Sequence, residues 1–118
     1  MGNTILVTGG AGFIGSNFIL QRMGRDSASI INLDKLTYAG NLHNLETVSN
    51  ERRYEFVHGD VGDRSLVRGL LERSGPRAIV HFAAESHVDR SIVSPEAFIR
   101  TNVLGTFTLL EQARAYRA

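Results

Sequence analysis

The fold is decided by residues 4–15, which read Thr4-Ile5-Leu6-Val7-Thr8-Gly9-Gly10-Ala11-Gly12-Phe13-Ile14-Gly15. The first five residues are mostly apolar and rich in β-branched side chains, which is typical of a strand buried on both faces of a parallel sheet. Glycines follow at once, and apolar residues then recur near helical spacing from Phe13 to about Met23, with Gly24 as the predicted end. The stretch therefore predicts a strand, a tight glycine turn and a helix.

The glycine turn carries the first functional signal. It fits the GxGxxG spacing through Gly10, Gly12 and Gly15, and also the TGxxGxxG spacing through Gly9, Gly12 and Gly15. The middle glycine leaves room for backbone to approach a pyrophosphate, and the helix that follows offers unpaired N–H groups and a partial positive charge. A glycine turn without any ligand is the alternative, and the strand-turn-helix context argues against it.

Outward from this stretch, strands and helices continue to alternate along the chain. Apolar, β-branched runs predict three further strands over residues 30–34, 54–58 and 78–83. Helical spacing and capping residues predict a short helix over 42–48, a helix between Asp63 and Gly75-Pro76, and a last helix from Ser94-Pro95-Glu96 towards Ala118. This alternation predicts an α/β fold, the N-terminal part of a Rossmann-type doubly wound parallel sheet with about four strands and three to four helices.

Asp34 ends the second predicted strand, 34 − 15 = 19 positions after Gly15. Dinucleotide-binding sites of this kind place an acid about 20 residues beyond the glycines, where it accepts hydrogen bonds from ribose hydroxyls. An acid there repels a 2′-phosphate, so the spacing favours NAD over NADP, although a cation at Lys35 weakens the preference. Taken alone, Asp34 also fits a solvated carboxylate at a strand end.

Asp60 follows the third predicted strand and allows two interpretations that chemistry alone does not separate. In a sheet of the expected order, its carboxylate would reach the adenine side of a bound dinucleotide. In the run Gly59-Asp60-Val61-Gly62-Asp63, however, an aspartate also suits a turn.

The run that follows the fourth predicted strand is dense in functional side chains. Ala83-Ala84 are small enough for backbone to pass close to a cofactor, and residues 85–91 read Glu85-Ser86-His87-Val88-Asp89-Arg90-Ser91. A hydrolase triad is rejected because its members would be near neighbours in one loop and no GxSxG turn exists. We predict a structural hydrogen-bonding role for His87, and no metal site, because His81 lies in a predicted strand and His43 and His58 are far away in sequence.

Composition narrows the class of protein. With 118 residues there is room for one domain, and a net charge of +1 gives no basic field that would indicate nucleic acid. The absence of cysteine excludes disulfides, zinc–thiolate sites and a cysteine nucleophile. No apolar run approaches the roughly 20 residues of a membrane span, and the first strand leaves no space for a signal peptide, so we expect a cytoplasmic protein without membrane contact.

Two runs give a family resemblance. The segments Asp34-Lys35-Leu36-Thr37-Tyr38-Ala39-Gly40-Asn41 and 83–91 resemble the signature loops of the dTDP-glucose 4,6-dehydratases, a branch of the extended short-chain dehydrogenase/reductases. Thr101-Asn102-Val103 is also similar to that family. The resemblance covers the chain from Thr4 to about Tyr116, and the two long runs are far more specific than the glycine motif.

The resemblance implies NAD as the cofactor and a role for each matching residue. The pyrophosphate would be held by Gly9, Gly12, Phe13, Ile14 and Gly15. The adenosine ribose would be surrounded by Asp34, Lys35, Leu36 and Thr37. The adenine would meet Asp60 and Val61. The path to the nicotinamide would be lined by Phe82, Ala83, Ala84, Glu85 and Ser86, with Thr101 nearby. Ser86 would also touch the nucleotide-sugar substrate.

The resemblance also implies an activity, which is the NAD-dependent conversion of dTDP-glucose to dTDP-4-keto-6-deoxyglucose. The family uses a Tyr-x-x-x-Lys motif and an adjacent Asp-Glu pair for catalysis, and this sequence contains neither, so we expect no catalytic residue in this chain and no activity from it alone. We expect an incomplete NAD-binding domain over residues 1–118, without the remaining strands and the substrate domain, in an enzyme that is a homodimer at full length. A nucleotide-sugar epimerase of the same family and a stand-alone NAD-binding module are the alternatives.

Overall fold

Four parallel strands form the centre of the computed structural model, which describes residues 3–25, 27–36, 42–83, 96 and 100–117. The strands are β1 (Thr4–Thr8), β2 (Ser29–Asp34), β3 (Tyr54–His58) and β4 (Ala78–His81). They lie in the order β3-β2-β1-β4. This order is the start of a doubly wound sheet and confirms the predicted fold class.

The helices lie between and after the strands. They are α1 (Phe13–Arg25), a 3-10 helix (Leu42–Val48), α2 (Arg64–Ser74), a π-helical segment (Arg100–Gly105) and α3 (Thr106–Arg117). The short helix has the predicted bounds, whereas the predicted start of the last helix at Ser94-Pro95 lies outside the described residues. Within the described ranges, no helix combines the length and apolar character that a membrane crossing requires.

Two predicted ends were wrong. α1 does not stop at Gly24 but continues to Arg25, and near this end the Arg53 guanidinium donates to the Met23 carbonyl oxygen at 3.1 Å. β4 ends at His81 instead of residue 83, because its last partner in β1 is Thr8 and the chain then leaves β1 for the glycine turn. A strand cannot continue beyond the neighbour that satisfies its backbone.

The sheet is covered on both faces, as the continuous apolar runs require. Along β1, Ile5 and Val7 pack on the side of α1, where they join a cluster with Ile19 and Ile30. Leu6 faces the opposite side, in a second cluster formed with α2 and α3 by Ile31, Leu33, Val61, Val67, Leu70, Leu71 and Leu109. Each fully buried Leu, Ile or Val contributes about 1.5–3 kcal/mol relative to an exposed position.

Helix α2 has the predicted end groups. The Asp63 carboxylate accepts a hydrogen bond from the Leu66 N–H at 3.2 Å, which satisfies one of the free donors of the first turn. At the other end, Gly75 has a φ of 54° and donates to the Leu71 carbonyl oxygen at 2.9 Å. A left-handed residue closes a helix in this way, and glycine adopts that conformation at low cost.

Candidate functional site

The carboxyl ends of the four strands meet at one edge of the sheet and bring the predicted segments together. The Gly9 N–H donates to the Leu33 carbonyl at 2.9 Å, so the glycine turn begins beside the end of β2. On the other side of β1, the Phe82 N–H donates to the Thr8 carbonyl at 2.8 Å. Ligands of doubly wound sheets bind at this edge, where the strand order reverses.

Packing within the protein explains why residues 9 and 15 are glycines. Gly9 has a φ of 71°, and a Cβ atom there would lie 2.6 Å from the backbone nitrogen of Ala83. A Cβ atom at Gly15 would overlap the carbonyl oxygen of Gly9, so the helix packs directly on the turn. Neither position accepts a side chain without a shift of backbone.

Gly12 differs from its neighbours in the turn. A Cβ atom at this position would meet nothing closer than the Gly9 carbonyl oxygen, at an ordinary contact distance of 3.5 Å. Within the described part of the chain, packing therefore gives no reason for glycine here. Close approach of a ligand is a physical reason for a glycine at such a place.

The first turn of α1 presents free donors beside Gly12. Ser16 makes the first helical bond, from its N–H to the Gly12 carbonyl at 2.9 Å. The N–H groups of Phe13, Ile14 and Gly15 have no hydrogen-bond partner among the described residues. Free N–H groups and the positive end of the helix dipole together attract an anion such as a phosphate.

Side chains from β2 accept hydrogen bonds from the backbone of the glycine turn. The Asn32 Oδ1 atom accepts from the Gly10 N–H at 2.9 Å, and the Asp34 Oδ2 atom accepts from the Ala11 N–H at 2.8 Å. Asn44 donates to the Ala11 carbonyl oxygen at 3.2 Å. Sequence reasoning missed both asparagines, although a polar Asn32 inside an apolar strand was a visible signal, because a buried amide needs partners.

Asp34 uses both carboxylate oxygens within the chain. Its second oxygen, Oδ1, accepts from the Leu36 N–H at 2.7 Å and holds Leu36 at a φ of 57°, which is unusual for a residue with a side chain. The carboxylate is buried, yet a carboxylate has about four acceptor sites, so further hydrogen bonds to a ligand remain available.

Asp60 forms a turn, which is one of its two predicted roles. Its Oδ1 atom accepts from the Gly62 N–H at 2.8 Å, and its Oδ2 atom lies 3.6 Å from the Lys35 ammonium. The ion pair engages the cation that could have received a 2′-phosphate. An adenine contact by Asp60 stays a prediction. The Val61 side chain is buried in the core, so a contact by Val61 would have to use its backbone.

A hydrogen-bonded histidine that sequence reasoning did not single out lies at the end of β4. The Thr8 hydroxyl is 2.5 Å from His81 Nδ1 and accepts from the Ala83 N–H at 3.2 Å, while His81 Nε2 is 3.0 Å from the Thr106 hydroxyl. Because Thr8 is fully buried, its proton needs an acceptor, which makes Nδ1 the acceptor and leaves the ring neutral. Burial lowers the pKa of His81, in agreement with a neutral ring.

The remaining predicted positions are placed only in part. The Phe82 ring packs on Phe18, with 5.6 Å between ring centroids, so its backbone and not its ring faces the glycine turn. Thr101 lies in the π-helical segment. Four predicted site residues lie outside the described residues, and these are Thr37, Ala84, Glu85 and Ser86.

Comparison with known proteins identifies the class first. The chain matches the NAD-bound crystal structure of dTDP-glucose 4,6-dehydratase from Streptomyces venezuelae with a TM-score of 0.90 and 50% identity, over 98% of this chain and 37% of that chain. The sheet and its glycine turn are therefore the first part of a Rossmann-type fold. A UDP-glucose 4-epimerase from Brucella ovis in complex with NAD is also similar, with a TM-score of 0.82 and 35% identity over 98% of this chain and 33% of that chain.

The family follows from the sequence matches. The model of the family described as GDP-mannose 4,6 dehydratase matches residues 6–118, and the chain belongs to this family. A dTDP-glucose 4,6-dehydratase from Xanthomonas campestris is 56% identical over 113 residues, which is 96% of this chain and 32% of that relative. The predicted resemblance to dTDP-glucose 4,6-dehydratases is thus confirmed. The chain spans about a third of the length of the curated relatives it matches.

Proposed function

We propose that this chain is the NAD-binding part of a nucleotide-sugar 4,6-dehydratase that converts dTDP-glucose to dTDP-4-keto-6-deoxyglucose. The observation that carries the proposal is the glycine turn, in which the open side of Gly12 lies next to the free N–H groups of Phe13 and Ile14. This arrangement is suited to a pyrophosphate that approaches the backbone.

The charges at the end of β2 support NAD over NADP. The Asp34 carboxylate retains acceptor sites for ribose hydroxyls and would repel a 2′-phosphate. Lys35 is the nearby cation, and its pairing with Asp60 reduces its attraction for a phosphate. The relatives with NAD bound have the same fold over nearly the whole chain.

The division of labour follows from which residues this chain contains. Its glycine turn, Asp34 and the end of β4 would bind and orient the cofactor beside the substrate. The chemistry that bound NAD would supply, as the family resemblance implies, is a hydride transfer from C4 of the hexose and back to C6, around the elimination of water across C5 and C6. The proton-transfer groups that the family resemblance implies, a Tyr-x-x-x-Lys motif and an Asp-Glu pair, do not occur in these 118 residues.

A cytoplasmic, homodimeric full-length enzyme remains part of the proposal. Support for an association surface comes from large apolar side chains near the end of the chain. Val103, Phe107 and Leu110 are 58%, 54% and 64% exposed. Exposed apolar groups at neighbouring helical positions favour burial against another protein surface.

The binding test is a calorimetric titration of the chain with NAD and with NADP. We expect weak but measurable NAD binding and weaker NADP binding, and equal or tighter binding of NADP would contradict the assignment of Asp34. Gly12→Val should abolish NAD binding with little change in melting temperature. Gly24→Val is the matched control, because a side chain there also faces open space, and it should bind NAD as the parent does.

The activity test uses the full-length protein with dTDP-glucose and with UDP-glucose. A 4-keto-6-deoxy product from dTDP-glucose supports the dehydratase. Epimerised UDP-sugar without that product would favour the second candidate, a 4-epimerase, which the similarity to the Brucella ovis enzyme recommends. NAD binding without turnover of either sugar would indicate a non-catalytic module.

A further inference from the structure

Asn32 is a polar side chain fully buried within β2, between the apolar residues Ile31 and Leu33. Its amide makes two hydrogen bonds. Oδ1 accepts from the Gly10 N–H at 2.9 Å, and Nδ2 donates to the Tyr54 hydroxyl at 3.1 Å. A buried amide is costly unless it is bonded, so a strand that carries one uses it for something that an apolar residue cannot provide.

The bond to Gly10 restricts the glycine turn. The Gly10 N–H must face an acceptor, which orients the amide with Oδ1 towards the turn and Nδ2 towards β3. The fit is tight, because a Cβ atom on Gly10 would overlap Asn32 Oδ1. Asn32 therefore fixes the direction of the Gly10 peptide, and together with Ile19 it leaves no space for a side chain at Gly10.

The geometry also determines which N–H groups remain for a ligand. Asn32 and Asp34 occupy the donors of Gly10 and Ala11, so the donors left in this part of the chain are those that open α1. Rotation of the Gly10 peptide would change the direction in which the chain enters Gly12 and the first turn of α1. The bond to Asn32 opposes this rotation.

We propose that Asn32 is a positioning residue for the dinucleotide site, which holds the Gly10 peptide so that Gly12 and the donors of α1 meet the pyrophosphate. The inference rests on the proposed NAD-binding function. The bond to Tyr54 has a different role, which is only to give the Nδ2 group of the buried amide a hydrogen-bond partner within the core.

Two variants separate these roles, because Asn32→Leu removes both hydrogen bonds of the amide whereas Tyr54→Phe removes only the bond to Tyr54. Asn32→Leu removes the bond to Gly10 together with the bond to Tyr54, and we expect NAD to bind about tenfold more weakly or worse. Tyr54→Phe removes only the bond to β3, and we expect a loss of thermal stability no larger than that of Asn32→Leu, with NAD affinity within about threefold of the parent. Asn32→Ser is the second variant if the leucine variant does not fold, since its hydroxyl is too short to reach Gly10.

The spectroscopic measurement is the exchange rate of the Gly10 amide proton by NMR. It should rise in Asn32→Leu and stay slow in Tyr54→Phe. Equal weakening of NAD binding in both variants, in proportion to lost stability, would reduce Asn32 to a structural residue and overturn the inference. Unchanged NAD affinity in Asn32→Leu would overturn it as well. If the parent chain binds no NAD, the proposed function fails first and the inference fails with it.

Discussion

The two strands that flank β1 both contain apolar, β-branched residues, but they differ in their surroundings. β2 is buried at every position after Ser29, whereas all four residues of β4 are only half-buried. β2 lies between β1 and β3, while β4 has β1 as its one neighbouring strand within the described ranges. The comparison teaches that an apolar, β-branched run specifies a strand, and that its neighbours decide how much burial the strand obtains.

The two flanking strands also bind the end of β1 through different polar groups. β2 contributes an amide and a carboxylate, Asn32 and Asp34, which act on backbone donors of the glycine turn. β4 contributes a titratable ring, His81, which acts on the Thr8 hydroxyl. The hydrogen bond between Gly10 and the uncharged Asn32 amide, on the β2 side, therefore does not depend on pH. The hydrogen bond between Thr8 and His81, on the β4 side, requires the histidine to remain neutral.

The largest expected effect is at Gly9, where the two sides meet. Gly9→Val places a β-branched side chain at a φ of 71° and a Cβ atom 2.6 Å from the Ala83 nitrogen. Strain and overpacking together should cost about 3–5 kcal/mol, enough to unfold a marginal domain. Circular dichroism during urea unfolding measures the loss. A urea unfolding curve like that of the parent would show that the chain after β4 does not pack against the turn as described.

The next effect compares the two sides directly with one residue type. Ile31 and Ile79 both lie in register with Leu6, one from β2 and the other from β4. Ile31→Ala should lower the free energy of unfolding by about 3–4 kcal/mol, because the cavity it leaves is enclosed. Ile79→Ala should cost about 1–2 kcal/mol, because half-buried surroundings can relax and admit water. Equal costs in urea titrations would mean that both sides are equally enclosed in solution.

A smaller effect concerns the pH dependence that His81 brings to the β4 side. Its pKa is lowered in the folded chain from the ordinary value of 6.5, so the unfolded chain binds the proton more readily. Stability should therefore be at its full value above pH 6.5 and decline as the pH falls from there through the lowered pKa. His81→Gln should remove this part of the pH dependence. A histidine that titrates at its ordinary pKa in an NMR experiment would contradict the prediction.

The smallest effect is expected for an exposed ion pair between α2 and β3, the strand beyond β2. Arg73 of α2 contacts the Glu55 carboxylate of β3 with both terminal nitrogens, at 3.1 and 3.0 Å, on an exposed surface. Arg73→Ala should change the free energy of unfolding by at most about 0.5–1 kcal/mol, because water screens an exposed pair. A loss comparable to that of Ile31→Ala would show that surface charge, and not burial, gives this side its stability.

Local patterns predicted the elements of the fold because short-range physics specifies them. The strand runs, the cap at Asp63 and the left-handed glycine at Gly75 were all readable from neighbouring residues. The early end of β4 was not readable, because it depends on where β1 turns away. The end of α1 likewise involves a contact that local patterns do not show, because Arg53 from a distant segment donates to the Met23 carbonyl oxygen.

The residues of the candidate site likewise divide into those that spacing predicted and those whose contacts depend on the folded sheet. Spacing predicted Gly12 and Asp34, since the turn and the strand fix their positions relative to each other. It did not reveal that Asp34 also binds the Ala11 N–H, or that Lys35 pairs with Asp60, because those contacts join segments that only the sheet brings together. Asn32 and His81 were missed because a polar residue inside a strand shows its purpose only when its partner is known.

The strand order has a consequence for how the chain folds. β1 and β2 pair residues 29 − 4 = 25 positions apart, as between Thr4 and Ser29, whereas β1 and β4 pair Thr8 with His81, 73 positions apart. Closing the longer loop costs more entropy and delays the contact, so β3, β2 and β1 should assemble as an early unit while β4 docks later. During synthesis from the N-terminus, the glycine turn would then acquire its bonds from Asn32 and Asp34 well before Ala83 arrives beside Gly9. In the nascent chain, the phosphate-binding turn would therefore be held by β2 alone until β4 joins the sheet.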